Sequence, residues 1–471
     1  MQKRFSRLAC FLLATVVASM HAFAAGPILL ANGTLTTSTA GYYTDLSGLQ
    51  GTLENGVAKT LLGGLGSGLG WASGNTFIAV PDRGPNALPY DSLIDDTVTW
   101  IPRFHTIMMN LQLNTQRRGF GHPPALPFTL TPKLQKTTLL FSSEPLTYGT
   151  GDGLGVGPGA PSENGTDLYY LSGRSDNFNP NTTSGDSMDA RFDPESVRLS
   201  SNGRSVYISD EYGPYVYQFD RITGRRLRTF TLPDHWHVAQ KYPVGNDEIS
   251  KNTSGRTANK GMEGLAITPN GRTLVGMIQA ALIQDNNLGG DAKNLLRFVT
   301  IDVATGLTTH EYAYLLTTGS GVSDIVALND HEFLVDERDG KGLGDGSNAK
   351  IKQVFKIDIS NAVDVNNLDG LTAAQYAVPK TLFLDIVAVL NANGITSDKI
   401  PAKIEGLALA GDVAYNGKKY HTLWVANDND FLQDYNNQQN SNPNQFFVFG
   451  FTDEDLGGSK YVPQVFSVAN P

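Results

Sequence analysis

The sequence predicts an all-β fold, a β-propeller of six blades with seven possible, on three observations. The 471 residues include 50 Gly and 23 Pro, which suits many short strands joined by turns. A weak internal repeat recurs along the chain, two short apolar strands around a turn. The second strand of most copies ends in acidic and basic residues at one place in the plan. A two-sheet sandwich is the rival architecture.

In chain order, residues 1–25 read as a signal peptide. Lys3, Arg4 and Arg7 form a charged start, Leu8 to Met20 an apolar run, and Ala22-Phe23-Ala24-Ala25 a small-residue cleavage site. The run is too short and wrongly flanked for a membrane span, and no later stretch could cross a bilayer. Cys10 is the only cysteine, so the mature chain, 26–471, forms no disulfide, which leaves a bound metal as one source of extra stability after export. Loss of three cations takes the formal charge from −10 to −13. An acidic chain without basic runs argues against a nucleic-acid partner. The expectation is one periplasmic or secreted domain, monomeric, with a small anionic substrate.

The copies start near residues 67, 195, 263, 324 and 405. The clearest runs Asp193-Pro-Glu195-Ser-Val-Arg-Leu, turns at Ser201-Asn202-Gly203-Arg204, and returns to Asp210-Glu211-Tyr212-Gly213. The next pairs Gly261-Met-Glu263 with a strand ending at Gln279 through the turn Asn270-Gly271. Asn-Gly between apolar runs is a strong hairpin signal. The remaining copies pair Ser67 with Asp82 and Arg83, Asp324 with Glu337 and Arg338, and Glu405 with Asp428. The first gap is twice the others and leaves room for a degenerate blade around Leu139 to Ser172. The segment before Leu61 is expected to close the ring against Val462 to Val468.

In a hairpin the start of one strand lies beside the end of the next, so these groups gather at one mouth of the channel. Each carboxylate alone reads as a solvated turn residue. Glu195, Glu263, Asp324 and Glu405, however, recur at what reads as one position, and converging carboxylates repel unless a positive charge sits between them. Only oxygen donors repeat, so a hard divalent cation such as calcium fits, with Asp82, Asp210 and Asp428 as further ligands or support. Arg83, Lys260 and Arg338 suit an anion, or else pair with the neighbouring acids. Tyr212 is a candidate lining residue, or ordinary packing.

These motifs resemble the esterase-like phytase family of bacterial propeller proteins. The matching pieces are Ser67-Gly-Leu, Asp82-Arg-Gly, Asp193-Pro-Glu, Ser209-Asp-Glu-Tyr-Gly-Pro, Asn259-Lys-Gly-Met-Glu-Gly-Leu-Ala, Ser323-Asp and Glu337-Arg-Asp-Gly, spread from about residue 60 to 451. At Glu195-Ser196 the family usually has Glu-Gly. The resemblance implies a propeller fold and a phosphoester or carboxylic ester hydrolase, and the leading reading is metal-assisted hydrolysis of a phosphoester. Glu211 or Glu337 would act as base, and Arg83, Lys260 and Arg338 would hold the anion. The alternatives are a calcium-stabilised binding propeller for an envelope partner and a carboxylic esterase or lactonase.

Other motifs carry less. The glycines of 64–70 are followed by no βαβ unit, so they make no dinucleotide site, and neither a Gly-x-Ser-x-Gly elbow nor a P-loop is present. No histidines pair at zinc spacing; His235 and His237 are the pair available to a lactonase. Residues 149–159, 340–346 and 436–445 read as loops.

Overall fold

The computed structural model describes residues 26–86, 97–115, 125–149, 159–176, 179–242, 244–317, 319, 321–434 and 437–467. The proposed signal peptide and most of the 149–159 loop lie outside them. Within them the chain forms five four-stranded antiparallel sheets around a central axis, a five-bladed propeller.

Blade I comprises Gly68–Ser73, Thr76–Val80, Arg103–Leu113 and Phe128–Leu139. Blade II is Pro194–Leu199, Ser205–Asp210, Tyr215–Asp220 and Arg226–Thr231. Blade III is Met262–Ile267, Thr273–Ile278, Leu295–Asp302 and Thr308–Leu315. Blade IV is Gly321–Ala327, Glu332–Arg338, Lys352–Asp358 and Lys380–Asp385. Blade V takes Lys403–Tyr415, Lys418–Asp428 and Asn444–Phe451 from the end of the chain and Ile28–Leu35 from its start.

The first strand of each blade lines the axis and packs on those of both neighbours, so the ring is closed. These strands are buried almost throughout, and their apolar runs are interrupted by buried polar residues such as Glu195, Arg198, Glu263 and Asp324. The hydrophobic clusters sit between blades: Leu65, Leu69 and Phe77 meet Trp424 and Val448 where I faces V, and Val206, Tyr217 and Phe219 meet Ile78 and Phe104 where II faces I.

The fold departs from the sequence expectation in two places. Among the described residues the long first gap holds no sixth blade. Blade I spends it on two long outer strands, and the connection to blade II contributes only a two-residue ladder, Phe141–Ser142 with Tyr169–Tyr170. The N-terminal strand does close the ring, but against Asn444–Phe451. The described part of 462–468 has no strand pairing. Instead it crosses the lower mouth of the channel, where the Gln464 amide donates to the Leu199 carbonyl and Phe466 packs on Trp71.

Candidate metal and anion site at the channel mouth

The ladder register decides which charged residues face the axis. In blades II to V the first strand carries a register shift, between Pro194 and Val197, Met262 and Gly264, Val322 and Ile325, and Ile404 and Leu407. Such bulges re-aim a side chain. The equivalent residues at the shift are Glu195, Glu263, Ser323 and Glu405, with Ser67 in blade I. Across the hairpin, Asp82, Glu211, Gln279, Arg338 and Asp428 occupy one further shared position. Eight of these ten line a single cavity at the upper mouth, joined by Arg83, Asn259, Lys260, Gly321 and Lys403.

Because neighbours in a strand point to opposite sides, a one-residue difference separates site from scaffold. Asp324 is such a case. It sits one residue past the equivalent position, among Ser196, Gly264 and Gly406, and is not in the cavity wall. Fully buried on the axis below it, Asp324 accepts from Arg198 at 2.8 Å through both oxygens, from the Ser196 hydroxyl at 2.8 Å and from the Leu407 amide at 2.8 Å. Arg198 also donates to the carbonyls of Leu69 and Ile325. This ion pair ties blades I, II, IV and V together.

Asp210 and Glu337 also turn away. Asp210 accepts the amides of Asp193, Tyr212 and Gly213 at 3.0, 3.2 and 2.6 Å and so caps the turn; burial still pushes it up to about 7. Glu337 faces the outer strands, bonded to Lys380 and the Tyr314 hydroxyl. The buried Tyr212 donates its hydroxyl to the Gly173 carbonyl behind the site. His235 pairs with Glu311 and His237 packs near Tyr215, both outside the cavity wall.

The other nominated residues meet at the mouth. Six carboxylates and four cations line it, a net charge of −2. Two carboxylate trios stand out, with ligand atoms within 4.8 Å of one another: Asp193, Glu195 and Glu211, and Asp82, Asp428 and Asp430. In the first, Arg83 binds Asp193 at 2.9 Å and approaches Glu211 to 3.8 Å. Glu211 is fixed by the Gly261 amide at 3.1 Å. Glu195 borders Glu263, whose Oε2 is buried without a hydrogen-bond partner. Burial first, then Glu263, holds Glu195 far above the carboxylate range. Burial and Glu405 push Glu263 up to about 8. Glu405 rises to about 7 through burial, restrained by Arg338. Arg338 binds Glu405 and the Ser323 hydroxyl.

In the second trio Lys403 bonds to Asp428 at 3.0 Å and to Asp430. Asp430 and Phe431 are both left-handed, with φ of 52° and 55°. Asp82 is raised by burial and by Asp428. Lys403, Asp193 and Asp430 were not nominated from sequence, although Lys403 precedes Glu405 by two residues, as Asp193 precedes Glu195. Lys260 is the exception among the cations: it makes no ion pair among the described residues and has one long contact, 3.4 Å, to Gln279.

A family model described as phytase-like, esterase-like activity of phytase, matches residues 60–431. The chain belongs to this family. An uncharacterized secreted protein of Arthroderma benhamiae is 34% identical over 150 residues, 27% of each chain, so the match spans about a quarter of that relative. Among solved structures, the gluconolactonase XC5397 of Xanthomonas campestris aligns over 83% of this chain and 87% of its own, with 8% identity and a TM-score of 0.30. Hydrazine synthase of Kuenenia stuttgartiensis aligns over 88% of this chain and 80% of its own, with 10% identity and a TM-score of 0.28. No helix among the described residues is long and apolar enough to cross a membrane.

Proposed function

We propose that the protein is an exported, metal-dependent hydrolase of an anionic ester, a phosphoester foremost, working at the upper mouth of the propeller. The observation that carries this reading is an oxygen-only wall, Glu195 and Glu211 in one trio with Asp193 and Glu263 beside Glu195, facing a cation, Lys260, that makes no ion pair among the described residues. The buried, unpartnered oxygen of Glu263 fits a missing positive charge. Oxygen donors without sulfur or imidazole suit calcium. Family membership supports ester chemistry; the secreted relative and the 1–25 segment support export.

A divalent cation held there would polarise the ester and acidify a bound water. The chain's own groups have separate tasks. Lys260 receives the substrate anion as a point charge. Arg338, locked by Ser323 and Glu405, offsets negative charge developing at the reacting group. Glu211, fixed by the Gly261 amide, belongs to the seat and orients the attacking water there rather than serving as a separate base. Arg83 is committed to Asp193 and orients the first trio rather than the substrate. Glu337 takes no base role, being bound behind the wall.

Lys260→Ala tests the anion assignment. A charge-assisted contact of about 1.5 to 3 kcal/mol predicts KM for a phosphoester raised roughly 10- to 100-fold, with a smaller change in kcat. An unchanged KM would remove Lys260 from the substrate.

A further inference from the structure

The two trios are built alike and differ in one respect. Two residues before its bulge glutamate, blade II places Asp193, and the carboxylate joins Glu195 and Glu211. Blade V places Lys403 at the same point, directly across the ladder from Asp428. The ladder therefore fixes an ammonium inside the second trio, 3.0 Å from Asp428 and bonded to Asp430. Asp82 completes that trio from blade I, with Asp428 and Asp82 both buried. Three acidic groups this close need a positive charge among them, and Lys403 supplies one from the chain itself.

We propose that Lys403 is a built-in cation that fills the Asp82–Asp428–Asp430 seat, and so sets how many divalent ions the mouth takes. An ammonium is a compact point charge with three donors, suited to replace a small cation among carboxylates. With Lys403 in place, no divalent ion enters this trio. Without the amine, the same three carboxylates form an open, oxygen-only seat of the kind hard cations occupy. Lys403 is thus a specificity-determining residue for metal loading, and its covalent attachment makes this half of the mouth independent of calcium supply.

The inference concerns only the blade I–V side, so it stands apart from the reading of the Glu195 side as a metal seat. The experiment is calorimetric titration of the mature protein and its Lys403→Met variant with calcium. The variant should bind one more calcium than wild type, and Lys403→Met combined with Asp430→Asn should lose that extra ion. Wild type binding none and the variant one would still support the role of Lys403 while removing the metal from Glu195. Equal stoichiometry in wild type and variant would overturn the inference. Should Lys403→Met not fold without metal, refolding with and without millimolar calcium decides: rescue by calcium supports a replaced cation, and no rescue overturns it.

Discussion

Glu195, Glu263 and Glu405 are held close together with less positive charge than they need. Glu263 is pushed up to about 8 and Glu405 to about 7, both mainly by burial. Raised folded values mean that these acids favour the fold while protonated. Their contribution is full below the ordinary carboxylate value near 4.5 and is lost as pH climbs through about 7 to 8. We therefore predict that chelated protein loses stability between pH 5 and 8.5, by an amount on the order of several kcal/mol. With calcium the slope should flatten, because the ion stabilises the charged form. Denaturant unfolding at stepped pH, with chelator and with calcium, reads this out. A chelated protein equally stable at both ends would show that the cluster carries no such strain.

The hairpin delivers these groups, and it tolerates little displacement where blades touch. A Cβ on Gly261 would lie 2.0 Å from the Glu211 carbonyl, a backbone atom of the next blade. Gly261→Ala should cost about 1 to 3 kcal/mol and weaken calcium binding by moving Glu211. Gly411→Ala, where nothing lies within 4 Å, is the control and should do neither. Calcium affinity unchanged in Gly261→Ala would separate Glu211 from the seat. The hairpins themselves were legible in the sequence, because turns such as Asn202-Gly203 and Asn270-Gly271 separate the apolar runs. Membership of the mouth was legible only in part. Asp210-Glu211 and Glu337-Arg338 are adjacent pairs, and choosing the inward member requires the register to one residue. The bulges shift that register without a composition signal of their own, so in sequence Asp324 reads as the counterpart of Glu195, whereas Ser323 is the true equivalent. Lys403 has a signal in the sequence, a cation two residues before Glu405 in the place that Asp193 takes before Glu195, and it lies opposite Asp428.

Across the whole molecule the ring is held at two places. Ile28–Leu35 joins the chain's start to its last blade, and Arg198–Asp324 pegs the inner strands on the axis. The blade count escaped the sequence because a gap length cannot distinguish a blade from two long outer strands and an irregular connection. Asp324→Ala leaves Arg198 buried without its partner and should cost about 3 to 5 kcal/mol in denaturant unfolding. An apolar pair, Arg198→Met with Asp324→Leu, should recover much of that loss. If the double variant is no better than the single, the pair is not the peg. The proposed chemistry is hydrolysis of an anionic ester at the upper mouth, with a metal held on the Glu195 side beside Glu211 and Glu263. The most direct measurement is phosphate release from a phosphomonoester by the mature protein in calcium and in chelator, beside its Glu263→Gln variant. Turnover should depend on calcium and be abolished by chelator and by the variant while the fold persists. Turnover unaffected by chelator and by Glu263→Gln would contradict it.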